Sequence, residues 1–422
     1  MLMSSFRLTK EDAYMLAGRY KTPLEVISTD QIEENYTFLK RHIPRLKVFY
    51  AIKANPADCI INKMIDLGSN FDVASAGEIN KLHSMGVAGS RMIYANPVKH
   101  EAGLVAAAQA GITRFTFDSR NEIEKLAKFV PNSEVLARVK IENSEAAVDL
   151  NTKFGAEADD IVPLLQYAKE KGLQPAGICF HIGSQSLSSR TYLRAFVTAR
   201  RLIDRARQNG IDIKYMDIGG GLPAPALHTE FNIKQIMRDI SRQLDKNFQD
   251  VEVWAEPGRY ICASAVNLLT SVVGIHRRSG RDWYFLDDGI YGCFSGVIFD
   301  HWDYDISSFK DGKKSSVTLA GPSCDSIDIV KKEFLCPQLE MGDLLLAVNS
   351  GAYSRVSATT FNGFALPQTI EWEEACGEID NEDKGSGLYQ DNECAQYNYR
   401  TGRAGDHLPY DGTEYEQQRI AL

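Results

Sequence analysis

Four short motifs carry side chains that could bind and activate a cofactor. Lys53 lies in VFYAIKANP, and a lysine partly removed from water loses its proton readily and forms a Schiff base with an aldehyde. The glycines of IGGGLP, residues 219–221, allow backbone N–H groups to approach a phosphate closely. In AEPGRY, Gly258 and Arg259 could contact the same phosphate, and the Glu256 carboxylate could hold a proton on a heteroaromatic nitrogen.

The fourth motif, FHIGSQS, contains His181, which could stack on a ring or donate a hydrogen bond, and Ser184, which could bind phosphate. Taken alone, each motif also fits an ordinary structural role, such as a solvated lysine, a tight glycine turn or a surface salt bridge. Together they describe a ligand with an aldehyde, a ring nitrogen and a phosphate. Pyridoxal 5′-phosphate has all three groups, so the sequence predicts this cofactor.

These motifs follow predicted β-strands in a regular alternation of strands and helices. Short β-rich runs recur eight times, separated by amphipathic stretches such as AGEINKLHSMG. The eight runs are VFYAIKA (48–54), FDVAS (71–75), MIYAN (92–96), RFTFD (114–118), VLARVK (135–140), AGICFHIG (176–183), YMDIGGG (215–221) and VWAEPG (253–258). Because parallel strands need helical crossovers, the pattern favours a closed (β/α)8 barrel over residues 25–260, with an open doubly wound sheet as the alternative.

The alternation ends after residue 260. Runs such as AVNLLTSVVGIHRR and DLLLAVNSG lack long helices between them, which indicates a mainly antiparallel β domain formed by residues 261–370 with residues 1–24. The prediction is therefore an α/β protein with a barrel and a C-terminal β domain. Residues 371–422 are acidic and rich in Gly, Asn, Gln and Tyr, and we interpret them as a peripheral extension.

Charge and cysteine content argue against several classes of function. The 422-residue chain has a formal net charge of −9, and residues 371–422, with 13 acidic and 4 basic residues, account for all of it. Because the body has no basic stripe, nucleic acid is not an expected partner. No apolar run reaches the roughly 18–20 residues of a membrane span and no secretory signal is recognisable, so we expect a cytoplasmic protein without a membrane partner. The eight cysteines form no CxxC pair, which favours reduced thiols and no metal site.

The order of these motifs resembles a known family. YAIKANP, FDVASAGE, FHIGSQS, DIGGGLP, AEPGRY, YGCFSG, GPSCDSID and FNGF occur in the order found in fold-type III, alanine-racemase-like, pyridoxal-phosphate-dependent decarboxylases. Within that family the chain is most similar to the bacterial lysine/ornithine decarboxylases. The resemblance covers roughly residues 5–370 and so includes both predicted domains.

The resemblance implies a role for each cofactor-site residue. Lys53 would carry the cofactor as a Schiff base, Glu256 would pair with the protonated ring nitrogen, and His181 would stack on the ring. The residues implied around the phosphate are Ser184, Gly219, Gly220, Gly221, Gly258, Arg259 and Tyr353. Asp72 and Arg138 match positions that line the cofactor cleft.

The resemblance also implies a homodimer with shared active sites. Cys324 and Asp325 match a pair contributed by the second subunit, and Cys324 is the candidate that protonates Cα after loss of carbon dioxide. Lys153 and Asp328 match a pair that bridges the subunits.

The implied reaction is decarboxylation of lysine, ornithine or both to a diamine of polyamine biosynthesis. Asp300 and Asp325 would accept hydrogen bonds from the distal ammonium of the substrate. Two residues favour this reaction over the diaminopimelate branch, namely Asp325 where that branch has Glu and Tyr260 where it usually has Ser. Ser326 departs from the Gly usual in ornithine enzymes, so a modified amino acid, a carboxylated polyamine or a diaminopimelate-like substrate stays open. The CDSID segment disfavours a racemase, and the retained cofactor residues disfavour a non-catalytic binding protein.

Overall fold

The computed structural model describes residues 4–141 and 152–378. The described residues up to 375 belong to one compact unit, and residues 376–378 belong to a second. The acidic extension expected from residue 371 onward therefore lies almost wholly outside the described residues. Within the described part, no helix combines the length and apolar character needed to cross a membrane.

Eight parallel strands close into a barrel, which confirms the predicted (β/α)8 architecture. Helix α1 (Lys10–Tyr20) and strand β1 (Leu24–Ile27) precede it. The barrel strands are β2 (Leu46–Ala51), β3 (Asn70–Val73), β4 (Met92–Tyr94), β5 (Arg114–Phe117), β6 (Glu134–Arg138), β7 (Gln174–Cys179), β8 (Tyr215–Asp217) and β9 (Glu252–Ala255). The helices around it are α2 (Thr29–His42), α3 (Asp58–Asp66), α4 (Ala76–Ser84), α5 (Glu101–Gln109), α6 (Arg120–Phe129), α7 (Ile161–Glu170), α8 (Arg190–Gln208) and α9 (Ile233–Asn247).

The side chains that fill the barrel explain why it closes. Phe49, Ile93 and Leu136 come from β2, β4 and β6, and they pack with Trp254 inside the barrel. Alternate strands contribute such layers in barrels of this type, so the interior is a packed core. The helices bury one face each; α8, for example, buries Tyr192, Ala195, Phe196, Ala199 and Leu202 at spacings of three and four residues.

Several predicted strands end earlier than the sequence suggested, and the difference positions the site. β2 ends at Ala51, so Lys53 lies in the 3₁₀ turn Ile52–Ala54 and not in the strand. β8 ends at Asp217, because Gly219 and Gly221 take φ values of 64° and 105° that a strand does not allow. The motifs therefore lie in loops at the carboxyl ends of the strands.

The second part of the unit is a mainly antiparallel eight-stranded sheet. After the short helix α10 (Arg259–Cys262) come β10 (Val266–Arg278), β11 (Arg281–Leu286), helix α11 (Gly296–Phe299), β12 (Asp305–Ser308), β13 (Ser315–Ala320), β14 (Ile329–Cys336), β15 (Leu344–Val348) and β16 (Gln368–Glu371). β1 joins this sheet by pairing with β10 and β16. The expected domain boundaries at residues 25 and 370 thus fall inside β1 and β16, and the division into domains stays a prediction.

Candidate active site

Lys53 lies at the mouth of the barrel and contacts Asp72 on β3. Its side chain is 43% exposed, whereas the Asp72 side chain that pairs with it is fully buried. Burial lowers the pKa of the Lys53 ammonium, but Asp72, Tyr353 and Glu256 together raise it by more, so its pKa lies above the ordinary value. The Asp72 carboxylate therefore favours the protonated form of Lys53, contrary to the ready loss of the proton that desolvation alone predicts.

The turn that carries Lys53 is held from two sides. The Tyr50 hydroxyl donates to the Asn55 carbonyl oxygen at 2.8 Å. On the other side lies the segment that follows β15. The Tyr353 N–H donates to the Ala54 carbonyl oxygen at 2.9 Å, and the Asn55 side chain donates to the Gly351 carbonyl oxygen at 3.0 Å. These bonds fix the turn, and they bring Tyr353 next to the lysine.

The glycine motif forms a cradle that side chains would fill. A Cβ on Gly219 would lie 2.4 Å from the Phe180 carbonyl oxygen, and one on Gly221 would lie 2.5 Å from the Gly183 carbonyl oxygen. A Cβ on Gly258 would lie 2.8 Å from that of Ala54. The loops after β7, β8 and β9 thus pack backbone against backbone and leave no room for side chains at these glycines, and the Gly219 N–H donates to Asp217 Oδ1 at 2.8 Å.

His181 lies against this cradle as a neutral imidazole. A Cβ on Gly220 would come within 3.0 Å of its Nε2 atom. The Gly183 N–H donates to Nδ1 at 2.9 Å, so the ring proton belongs on Nε2. Burial, Arg138 and Lys53 lower the pKa of His181 to about 3. A flat and uncharged ring is suited to stacking on an aromatic cofactor.

Glu256 belongs to a group of buried carboxyls at the same mouth. Burial and the neighbouring carboxylates Asp217 and Asp72 raise its pKa well above the ordinary value. A cationic ring N–H would offset the cost of ionising such a carboxyl. Three buried polar atoms, Asp72 Oδ1, Asp217 Oδ2 and Arg138 Nε, lack a hydrogen-bond partner among the described residues. Together with the glycine cradle, these atoms fit a polar cofactor with an anionic group.

Arg259 is the first residue of α10, and its side chain is only 7% exposed. Its Nη2 atom lies 2.5 Å from Asp300 Oδ2, and its Nε atom lies 3.4 Å from Ser184 Oγ. The guanidinium carbon lies 4.5 Å from the Trp302 ring centroid and 5.0 Å from that of Tyr353. Ser184, Arg259 and Tyr353 are thus brought together as expected, and Asp300 ion-pairs with Arg259, a contact that the sequence did not predict.

Cys324 and Asp325 lie on the exposed loop between β13 and β14. The Cys324 N–H donates to the Asn362 side chain at 3.0 Å, and the Tyr291 hydroxyl donates to the Asp325 carboxylate. That hydrogen bond lowers the pKa of Asp325. No described hydrogen bond or ion pair joins either residue to Lys53 within one chain.

The predicted bridge between Lys153 and Asp328 is not formed within one chain. Asp328 is buried, and its carboxylate accepts the N–H groups of Ile290 at 2.9 Å and Ser323 at 3.0 Å. Lys153 lies 4.9 Å from the Phe154 ring centroid. A contact between subunits stays a prediction.

Sequence reasoning missed three residues of this site. Asp217 precedes the glycines in DIGGG, so its place at the end of a strand could have marked it. Trp302 and Tyr291 carry no such signal, because their contacts with Arg259 and Asp325 depend on how distant loops pack.

Comparisons with known proteins agree with this geometry. The family model for "Pyridoxal-dependent decarboxylase, pyridoxal binding domain" matches residues 29–263. The chain is 51% identical over 373 residues to the lysine/ornithine decarboxylase of Selenomonas ruminantium, which covers 88% of this chain and 95% of the relative.

Two solved structures match most of the chain. The crystal structure of SrLDC, the lysine decarboxylase from Selenomonas ruminantium, in complex with PLP and cadaverine matches with a TM-score of 0.86 and 47% identity. The match covers 92% of this chain and 100% of that one. The lysine/ornithine decarboxylase of Vibrio vulnificus complexed with cadaverine matches with a TM-score of 0.82 and 33% identity, covering 86% and 99%. With the cradle, the buried carboxyls and Lys53 at one barrel mouth, these matches show that the chain belongs to the pyridoxal-dependent decarboxylases, enzymes that use pyridoxal 5′-phosphate.

Proposed function

We infer that the protein removes the α-carboxyl group of L-lysine, L-ornithine or both and releases cadaverine or putrescine. The observation that carries this inference is the assembly of Lys53, Glu256 and Arg259 around one glycine cradle. Its substrate part is supported by the relatives: those of Selenomonas ruminantium and Vibrio vulnificus are named for both amino acids, and two of the solved structures contain cadaverine.

The residues divide the chemistry between them. Pyridoxal 5′-phosphate, when bound, supplies the electron sink for decarboxylation. Lys53 would hold its aldehyde carbon, and the Glu256 carboxylate would hold a proton on its ring nitrogen. The neutral His181 imidazole would stack on the ring, while Asp72 and Arg138 would line the cleft. Backbone N–H groups of the glycine cradle, with Ser184, Arg259 and Tyr353, would bind its phosphate.

We propose that the active site is completed across a homodimer. The exposed loop with Cys324 and Asp325 makes no described contact with Lys53 in its own chain, which supports a role in the second subunit. Cys324 of the partner subunit would return a proton to Cα. The partner's Asp325, together with Asp300, would accept hydrogen bonds from the distal ammonium. A cytoplasmic location is consistent with the seven described cysteines, none of which forms a disulfide.

A substrate panel tests the proposal. Purified protein is incubated with L-lysine, L-ornithine, L-arginine, diaminopimelate and carboxynorspermidine, and released carbon dioxide and amine products are measured. We expect gas and diamine from lysine or ornithine, and none from Lys53→Ala, which also loses the absorbance of the bound cofactor. Carbon dioxide from diaminopimelate or carboxynorspermidine, and not from lysine or ornithine, would contradict the proposal and assign the alternative substrate class that Ser326 leaves open.

A further inference from the structure

An aromatic ring outside the sequence motifs, that of Trp302, lies against Arg259. The guanidinium carbon lies 4.5 Å from the Trp302 ring centroid and 5.0 Å from that of Tyr353, and the Nη2 atom pairs with the Asp300 carboxylate. Nε lies near Ser184, so among the described contacts only Nη1 has no protein partner. A guanidinium that contacts two rings and a carboxylate has few rotamers available, and its remaining donor then has a restricted direction.

The backbone around Trp302 is built to present this ring. The Trp302 N–H donates to the Gly296 carbonyl oxygen at 2.9 Å, and a Cβ on Gly296 would lie only 3.3 Å from the Trp302 Cβ. Between Asp300 and Trp302, the exposed His301 adopts a φ of 50°. This turn lets one short segment give Arg259 both a carboxylate and an aromatic face.

We propose that Trp302 is a positioning residue for cofactor binding, and that it holds Arg259 in the orientation that binds the cofactor phosphate. The proposal rests on the proposed function of Arg259 at that phosphate. Arg259 is nearly fully buried, and a cation–π contact gains strength when the cation is removed from water. Because Trp302 acts through Arg259, its effect should appear only with ligands that carry a phosphate.

The test compares two ligands on protein from which the cofactor has been removed. Dissociation constants are measured by absorbance and fluorescence titration for pyridoxal 5′-phosphate and for pyridoxal, which lacks the phosphate. We expect Trp302→Leu to raise the dissociation constant of pyridoxal 5′-phosphate by about 2- to 30-fold, the range that one cation–π contact supports, with little change for pyridoxal. Trp302→Phe keeps a ring and should show a smaller rise.

Trp283 provides a matched control. It lies on β11, where the Arg278 guanidinium stacks on it at 5.7 Å, so Trp283→Leu breaks a similar pair away from the barrel mouth. We expect its affinities for both ligands to equal those of the unmodified protein. If Trp302→Leu does not fold, Trp302→Met fills the space with a flexible apolar chain and takes its place.

A double variant distinguishes the proposed role of Trp302 from the proposed role of Arg259 on which it rests. In an Arg259→Ala background, Trp302→Leu should cause no further loss of affinity, because the residue it positions is gone. Equal weakening of both ligands by Trp302→Leu, or none, would overturn the role of Trp302. Should Arg259→Ala itself leave the preference for the phosphorylated ligand intact, the proposed phosphate site is wrong.

Discussion

Substituting Gly219 by alanine should disrupt cofactor binding, and the structure allows the effect to be divided into two parts. Gly219 adopts a φ of 64°, and a left-handed conformation costs alanine about 1–2 kcal/mol. The new Cβ would also lie 2.4 Å from the Phe180 carbonyl oxygen and 3.2 Å from the His181 Cα. Overpacking of this kind costs about 1–3 kcal/mol, and the glycine loop can relieve it only by moving away from the ends of β7 and β8.

Gly210 separates the two parts of this cost. It follows α8 with a φ of 74°, yet nothing lies within 4 Å of the Cβ that an alanine would add there. Gly210→Ala therefore has the backbone cost alone, whereas Gly219→Ala has that cost and the overlap. If cofactor binding must press the loop back into place, the overlap should raise the dissociation constant of pyridoxal 5′-phosphate by about 5- to 150-fold.

Both variants are compared by thermal unfolding and by titration of the cofactor-free protein. We expect Gly210→Ala to lower the melting temperature slightly and to bind pyridoxal 5′-phosphate normally. Gly219→Ala should melt at a lower temperature than Gly210→Ala and bind the cofactor weakly. Equal melting temperatures and equal affinities in the two variants would refute the reasoning, because they would show that the backbone at Gly219 yields without cost.

Three further predictions concern other parts of the molecule. Cys324→Ala should reduce diamine formation strongly while the cofactor stays bound; unchanged product formation would contradict its role at Cα. Asp300→Asn should raise KM for lysine and ornithine and also weaken cofactor binding, because it removes the anionic partner of Arg259; unaltered kinetics and affinity would exclude both effects. Burial lowers the pKa of Lys99 to about 8, so the folded protein binds fewer protons than the unfolded chain between about pH 8 and 10.5, and stability should rise with pH there. Lys99→Met should remove that part of the slope in melting temperature against pH, and an identical slope would show that Lys99 titrates normally.

The barrel could be predicted because its determinants are local. Each βα unit repeats a buried run and an amphipathic helix, and parallel strands leave few other ways to connect them. The same logic placed Lys53, His181 and Glu256 at one face, since functional motifs at the carboxyl ends of barrel strands must meet.

Contacts between distant loops could not be predicted from local patterns. The pairing of Arg259 with Asp300 and Trp302 depends on how a loop of the second sheet packs over the barrel mouth. Likewise, the sequence places a domain boundary at residue 25, inside β1, and only the pairing of β1 with β10 and β16 assigns that strand to the sheet. Hydrophobic periodicity carries no information about either choice.

The hydrogen bonds from Tyr353 and to Gly351 have a consequence for how the protein matures. They tie the lysine turn, made early in synthesis, to a segment made about 300 residues later. A nascent chain that has left the ribosome only as far as α10 contains the whole barrel sequence, but it cannot yet form these hydrogen bonds. We therefore expect pyridoxal 5′-phosphate to bind only after nearly all of the unit that ends at residue 375 has emerged from the ribosome. A barrel fragment expressed by itself should then lack the absorbance of the bound cofactor.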